Sequence, residues 1–333
     1  MTLRFGVLGA GRIGRVHSKA IAGTPGARLA AVADPVAAAA QDMADAYGCA
    51  IRDIDAIIGA DDIDAVVICT PTDTHADLIE QAARAGKAVF CEKPVDLSVK
   101  RVRDCLRVVA AEKALLMVGF NRRFDPDFMA VKAAIDAGHI GKVEMITITS
   151  RDPGAPPIDY IKRSGGIFRD MTIHDFDMAR WLLDEEVETV IAAASNLVDP
   201  AIGKAGDFDS VNVILRTATG RQAVITNSRR ATYGYDQRIE VHGSLGVVSA
   251  DNMRMANIEV AGANGFTRPP LLDFFMTRYV AAYANEIAAF VAAVTKGAAT
   301  PTTGVDGLAA LVLADAALLS VKESRAVNLA EIA

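Results

Sequence analysis

The segment Gly165–Leu182 reads GGIFRDMTIHDFDMARWL and places Asp170, His174, Asp175 and Asp177 within eight positions of an otherwise apolar run. Take this run as a helix with Asp170 at 0° and about 100° per residue. His174 then falls near about +40°, Asp177 near about −20° and Asp175 near about +140°. Asp170, His174 and Asp177 share the face of Ile167, Met171, Ile173 and Met178, whereas Asp175 is expected to meet solvent. Titratable groups on an apolar face are costly unless they pair or serve a site. His174 lies one turn from Asp170, within reach of a carboxylate–imidazole hydrogen bond. An imidazole held in this way can accept the proton of an alcohol while hydride leaves the carbon. A structural Asp–His pair and a metal site with Asp170 and His174 as ligands fit the same spacing. No metal is expected, because the residues described next already account for the chemistry.

A departing hydride needs an acceptor. VLGAGRIGRVH carries Gly9, Gly11 and Gly14 in G-x-G-x-x-G spacing. The motif follows a predicted strand and opens a predicted helix, the context that gives it meaning. Gly9 allows the tight turn, Gly11 lets backbone approach a pyrophosphate, and Gly14 lets helix and strand pack closely. The free N–H groups at the helix start favour the phosphate charge. Gly9, Ala10, Gly11, Arg12, Ile13 and Gly14 are therefore expected to hold a dinucleotide. Asp34 closes the second strand, where a carboxylate accepts hydrogen bonds from ribose hydroxyls and repels a 2′-phosphate. No Lys or Arg follows it before Arg52. NAD is expected over NADP.

Two further strand ends carry polar residues. CTPTDTH (69–75) places Thr70, Pro71, Thr72 and His75 after one strand, and VFCEKPVDLS (89–98) places Glu92, Lys93 and Pro94 after the next. Ligands of open α/β sheets bind at the carboxyl ends of the strands. Pro94 keeps Lys93 extended. Lys93 is expected to share the cofactor's crevice, where its ammonium would stabilise a developing alkoxide or carbonyl oxygen.

The elements that must position these residues alternate regularly through the first 120 positions. Apolar strands at 3–8, 28–34, 65–70, 87–92 and 114–120 are separated by helical stretches at 12–22, 35–47, 74–85 and 98–113. Short unbroken apolar strands between helices predict a parallel sheet covered on both faces, a doubly wound α/β domain. After Phe120 the rhythm changes. Helices are expected at 126–137 and 167–184, and a half-buried strand at 142–152. Strand-like runs with short turns then fill 187–260, and helices 273–296 and 304–323 close the chain. This predicts a second, α+β domain with a large, mostly antiparallel sheet. The boundary is placed at 120, giving a dinucleotide domain (1–120) and a substrate and oligomerisation domain (121–333), closely packed with a cleft between them.

The 333 residues carry a net charge of −6. This argues against nucleic acid or an anionic membrane as partner. No apolar run is expected to reach a membrane span, and Asp34 and Asp315 interrupt the most apolar stretches. No signal peptide is expected. Cys49, Cys69, Cys91 and Cys105 make no C-x-x-C pair and are expected to be reduced core residues of a cytoplasmic protein.

GAGRIG, EKP and GGIFRDMTIHDFDMARWL together resemble the Gfo/Idh/MocA oxidoreductases, and within them the bacterial inositol 2-dehydrogenases. The resemblance spans nearly the whole chain. It implies a Rossmann domain followed by an α/β domain whose open sheet mediates oligomers, commonly tetramers. It implies a small polyol or sugar substrate, oxidised with NAD at one secondary alcohol, and a catalytic set of Lys93, Asp170 and His174. In GFNRRFD, Arg122 matches a position near substrate and nicotinamide. In TYGYDQRIE, Tyr235 matches a substrate-contacting tyrosine. The family's last helix often packs back on the first domain. The chain departs from better-known inositol dehydrogenases at Ser150, Arg151 and Asp152, where they carry His-x-Asn. Asp152 is the expected substrate contact there. Two alternatives stay open: the same chemistry on another inositol isomer or an aldose, and a non-catalytic sensor of dinucleotide and sugar.

Overall fold

The structure is a computed structural model and describes residues 2–332. Its contacts gather into two compact units, residues 1–125 with 280–311, and residues 126–279 with 312–333.

The first unit contains six strands: β1 (Leu3–Leu8), β2 (Ala27–Ala33), β3 (Ala50–Ile51), β4 (Ala65–Ile68), β5 (Ala88–Glu92) and β6 (Leu116–Gly119). They form one sheet in the order β3-β2-β1-β4-β5-β6, and every pair is parallel. Helices α1 (Arg12–Gly23), α2 (Ala37–Tyr47), α3 (Ile54–Ile58), α4 (His75–Arg84) and α5 (Val99–Ala111) connect them. The order reverses between β1 and β4, which is the switch point where such sheets take a dinucleotide. The short β3 and α3 have no counterpart in the expected pattern, because two exposed residues offer no periodicity to read.

The sequence reading placed residues 121–333 in the second domain, with the last helix free to pack back on the first; residues 280–311 gather with the first unit. Apolar packing is the reason. On the helix Val280–Lys296, Phe290 lies 5.9 Å from the ring of Phe5 and 5.8 Å from that of Phe90, and all three side chains are buried. Burying one such side chain contributes about 1.5–3 kcal/mol. Thr302 also accepts the Val118 N–H from β6.

The second unit is built on β7 (Val143–Arg151), β8 (Val187–Ser195), β9 (Ser210–Thr217), β10 (Gln222–Ser228), β11 (Asp236–Gly243), β12 (Gly246–Ala250), a small hairpin of β13 (Val260–Gly262) and β14 (Gly265–Thr267), and β15 (Val327–Asn328). Seven of them form a sheet in the order β12-β11-β7-β10-β9-β8-β15. All its pairs are antiparallel except β7 with β10. Helices α6 (Pro126–Asp136), α7 (Ile158–Ser164) and α8 (Ile173–Leu183) belong to this unit. Alternation sorts the two faces of the sheet. Ile146, Ile148, Ala223, Ile225, Val213, Leu215 and Val241 point inward, where α8 packs on β7 and β10. Met145, Ile191, Ile214, Val224 and Val247 point outward and are exposed.

The helix Gly304–Glu323 corrects one expectation. By length and mean hydropathy (1.8) it could cross a membrane, whereas no such run was foreseen. Half of its most apolar stretch is buried in the protein, and its carboxylates pair with arginines. Asp306 meets Arg123 at 3.0 Å, and Asp315 meets Arg169 at 2.7 Å. Burial works to raise the Asp306 carboxyl, but the Arg123 guanidinium and bonds from Thr303 outweigh it and hold it below the usual range.

Candidate functional site

In the first unit the residues singled out from sequence cluster at the carboxyl ends of β1, β2, β4, β5 and β6. Gly9 has φ +104°, and a Cβ on it would lie 2.6 Å from the Cys69 carbonyl oxygen. A Cβ on Gly14 would lie 1.9 Å from the Gly9 oxygen. Gly11 differs, with nothing within 4 Å of its Cβ position. It is also the N-cap of α1 and has no side chain to bond the first N–H groups of that helix. Two glycines close the turn, and the third leaves an open, donor-rich cradle that fits a pyrophosphate. Asp34 anchors the loop: Oδ2 accepts the Ala10 N–H at 2.6 Å and Oδ1 the Val36 N–H at 2.7 Å. Ala10 is buried, while Arg12 is exposed and Ile13 half-buried beside it.

After β4, Thr70 Oγ1 meets Thr74 Oγ1 at 2.6 Å, so the turn carrying Pro71 and Thr72 is internally tied. His75 opens α4 and is buried, with Nδ1 and Nε2 each 2.8 Å from a carbonyl oxygen, of Pro94 and Thr70 respectively. After β5, Glu92 is buried, Lys93 is half-buried, and the Lys93–Pro94 peptide is cis. Glu92 Oε1 lies 2.6 Å from Nε2 of the buried His17, and its Oε2 accepts the Lys93 N–H at 3.3 Å. Arg122 is buried in the turn after β6.

His17, Glu92 and Glu286 were not foreseen as a group. Glu286 is fully buried on the helix Val280–Lys296, and neither carboxyl oxygen has a hydrogen-bond partner. Burial, and then the charge of Glu92, push its carboxyl well above the usual range. The available signal was weak: a single acid in an Ala-rich helical run.

In the second unit Asp170 lies in a π-helical turn, Phe168–Thr172, that runs into α8. Its Oδ1 accepts the Tyr160 hydroxyl at 2.8 Å, and its Oδ2 is 3.4 Å from Nη1 of Arg229. Arg229 is buried and also reaches Asp207 Oδ2 at 3.4 Å. Asp207 Oδ1 in turn accepts the Ile167 N–H at 2.9 Å. Gly166, at φ +83°, allows this approach, since a Cβ there would lie 2.7 Å from Asp207 Oδ1. Arg229 could have been found by alternation: it continues the inward series Ala223, Ile225, Asn227 one step past β10.

Asp175 corrects the helical angles. It is fully buried, not solvated. Its Oδ1 accepts the Ser150 hydroxyl at 2.6 Å and its Oδ2 the Asn227 amide at 2.8 Å. Angles counted at 100° per residue from Asp170 run through the π turn, which takes one residue more than an α turn, so they overshoot beyond it. Asp177 is buried, on the apolar side as its angle suggested, and His174 is half-buried.

Sheet register brings other expected residues to one end of this unit. Arg151 stands opposite Ser228 and Asp236. Asp152, Arg229 and Tyr235 therefore follow or precede neighbouring strands at the same edge. Tyr235 is buried, edge-on to Phe274 at 5.8 Å and Tyr279 at 6.0 Å. Arg151 is held by Tyr233 at 2.8 Å. A cavity of about 1100 Å³ beside the hairpin, lined by Tyr233, Arg238 and Arg268 among others, includes none of the residues expected from sequence. Among the described residues no three His, Cys, Asp or Glu side chains gather as a metal set.

Comparison with known proteins identifies both domains. Residues 3–120 match the oxidoreductase family with an NAD-binding Rossmann fold, and residues 128–249 match the GFO/IDH/MocA C-terminal domain. The inositol 2-dehydrogenase of Rhizobium meliloti (strain 1021) is 70% identical over 99% of this chain and 100% of its own. The myo-inositol 2-dehydrogenase of Thermotoga maritima is 45% identical, over 99% of each chain. The structure of scyllo-inositol dehydrogenase from Lactobacillus casei, with NAD(H) and scyllo-inositol bound, has a TM-score of 0.93 at 31% identity, covering 99% of this chain and 100% of its own. The glycine cradle, the strand-end lysine and the two matched domains have one source: the chain belongs to the Gfo/Idh/MocA family of oxidoreductases.

Proposed function

We propose that this protein is an NAD-dependent inositol 2-dehydrogenase that oxidises the C2 hydroxyl of myo-inositol to give 2-keto-myo-inositol. The observation that carries the reading is full-length 70% identity with an inositol 2-dehydrogenase, on a chain that retains both E-K-P and D-x-x-x-H. The cradle at Gly9, Ala10, Gly11, Arg12, Ile13 and Gly14 holds the pyrophosphate, Asp34 faces the ribose, and Thr70, Pro71, Thr72, Glu92, Lys93 and Arg122 line the rest of the cofactor site. When bound, NAD supplies the acceptor for the hydride leaving C2. The protein's own groups handle the proton and the charge. His174, oriented by Asp170, takes the hydroxyl proton on its imidazole. The Lys93 ammonium stabilises the oxygen as negative charge develops on it. Asp152, Tyr235 and Arg122 meet the remaining hydroxyls.

Tyr160 and Arg229 hold the Asp170 carboxylate in one orientation, the kind of support a base-orienting residue needs. The protein works as a homo-oligomer, with a tetramer favoured, and the outward sheet face bearing Met145, Ile191, Ile214, Val224 and Val247 is the surface available for it. Four free, buried cysteines suit the reducing cytoplasm. Burial raises all four thiols, which keeps them un-ionised and unreactive.

The test is NADH absorbance with a panel of inositol isomers and aldoses. Turnover highest on myo-inositol is expected, with NAD preferred to NADP. Preference for another isomer or an aldose would move the substrate assignment. Tight NAD binding without turnover on any panel member would make the protein a sensor.

A further inference from the structure

We propose that His17 and His75 are positioning residues for Lys93. The inference rests on the reading of Lys93 as a catalytic group. Lys93 has Glu92 before it and Pro94 after it, and a buried histidine from a different helix is set against each. From α1, His17 brings Nε2 to 2.6 Å from Glu92 Oε1, while Glu92 Oε2 accepts the Lys93 N–H. From the start of α4, His75 sits 2.8 Å from the carbonyl oxygens of both Pro94 and Thr70. The lysine is thus bracketed, and the loop after β5 is tied to the loop after β4.

The packing leaves these rings little freedom. The imidazole of His17 lies edge-on to Phe90 at 4.9 Å and to Tyr283 at 5.4 Å. Glu92 has its place because its register neighbour on β6 is Gly119, where a Cβ would come within 3.1 Å of the carboxyl group. Both histidines are almost wholly buried, at 0% and 2% exposure, so each is placed to act through the backbone rather than on a ligand. For His75 this supporting role is proposed beside the expected place at the cofactor site.

Lys93 is half-buried, and the peptide that carries it sets where its ammonium can reach. A misplacement of about 1 Å at a reacting group can cost about 10²-fold in rate. His17→Ala and His75→Ala should each lower kcat by about 10- to 100-fold and raise the primary deuterium isotope effect on myo-inositol. The dissociation constant for NAD, measured by calorimetry, should stay within about threefold, because the glycine cradle is untouched. His17→Gln retains an N–H donor for Glu92 and should recover most of the lost rate. In a Lys93→Met background neither alanine substitution should lower the residual rate further.

Unchanged kcat in the alanine variants would overturn the proposal. So would the same fractional loss in the Lys93→Met background, or a loss of NAD affinity matching the loss of rate. A Lys93→Met enzyme with full kcat refutes the catalytic reading of Lys93, and the proposal with it. A silenced Lys93→Met enzyme with fully active histidine variants refutes the proposal alone. Should an alanine variant not fold, Gly119→Ala presses on the Glu92 carboxyl without touching either histidine. It should lower kcat at unchanged NAD affinity, and unchanged kcat there counts against the proposal equally.

Discussion

Substituting two glycines of the same loop should separate folding from cofactor binding. In Gly14→Ala the new Cβ would lie 1.9 Å from the Gly9 carbonyl oxygen and 3.0 Å from its carbon, and real Cβ atoms do not come under 3.0 Å. The helix start or the turn must therefore move by more than about 1 Å. Overpacking of this kind costs about 1–3 kcal/mol. For a unit of this size that corresponds to a fall in Tm of about 2–12 °C. Gly11→Ala meets nothing within 4 Å, and its φ of −68° suits any residue. Its effect on apo-protein stability should stay within about 1 kcal/mol. The same methyl group stands in the space left for the pyrophosphate, so the overpacking cost falls on binding instead. NAD affinity should drop by about 5- to 150-fold. Differential scanning calorimetry of the apo-proteins and titration calorimetry with NAD read the two effects independently. An unchanged Tm for Gly14→Ala, or NAD affinity within twofold of wild type for Gly11→Ala, would refute the assignment of roles in the loop.

Three further outcomes follow from the geometry. Glu286 has a folded pKa above its unfolded value of about 4.3, so its contribution to stability is complete below that value and is lost as pH rises through the folded pKa. Glu286→Gln should therefore gain on wild type above about pH 4.3, by up to about 1.4 kcal/mol per pH unit, in denaturant unfolding followed across pH; a pH-independent difference would contradict this. Asp175→Ala removes the carboxylate that accepts from two buried donors, on Ser150 and Asn227, and should cost about 1–3 kcal/mol, whereas a solvent-facing aspartate would cost within about 0.5 kcal/mol; chemical denaturation distinguishes them. Tyr160→Phe removes one bond to Asp170 and should lower kcat by about tenfold with little change in Tm, measured by steady-state kinetics and thermal melts.

The parallel sheet was readable because its strands are buried on both faces and so appear as unbroken apolar runs. AVVI at 65–68 is buried at every position. The glycine spacing was readable because backbone sterics demand those residues, and the clashes at Gly9 and Gly14 are the physical form of the motif. What sequence left out is non-local. Tyr160 and Arg229 meet Asp170 from 10 and 59 residues away, and nothing at either position announces the meeting. His17 and Glu92 are 75 residues apart. Asp175 was misread for a local reason: a single π turn broke the angular arithmetic on which its exposure rested. The helix at 280–296 falls within the stretch 273–296 expected to be helical, but its apolar surface alone does not say which core it fills.

That π turn also separates two requirements within one helix. Downstream of it, Phe176, Ala179 and Leu183 keep the phase that seats α8 on the sheet. Within the turn itself, Asp170 keeps a different phase, set by Tyr160 and Arg229. In a regular helix one phase would dictate the other, and any change that improved core packing would rotate the carboxylate. The extra residue works as a phase shifter, so each end can be optimised with the other unchanged. Deleting one residue from Phe168–Thr172 would regularise the helix, leave its apolar stripe intact and turn Asp170 away from Tyr160 and Arg229.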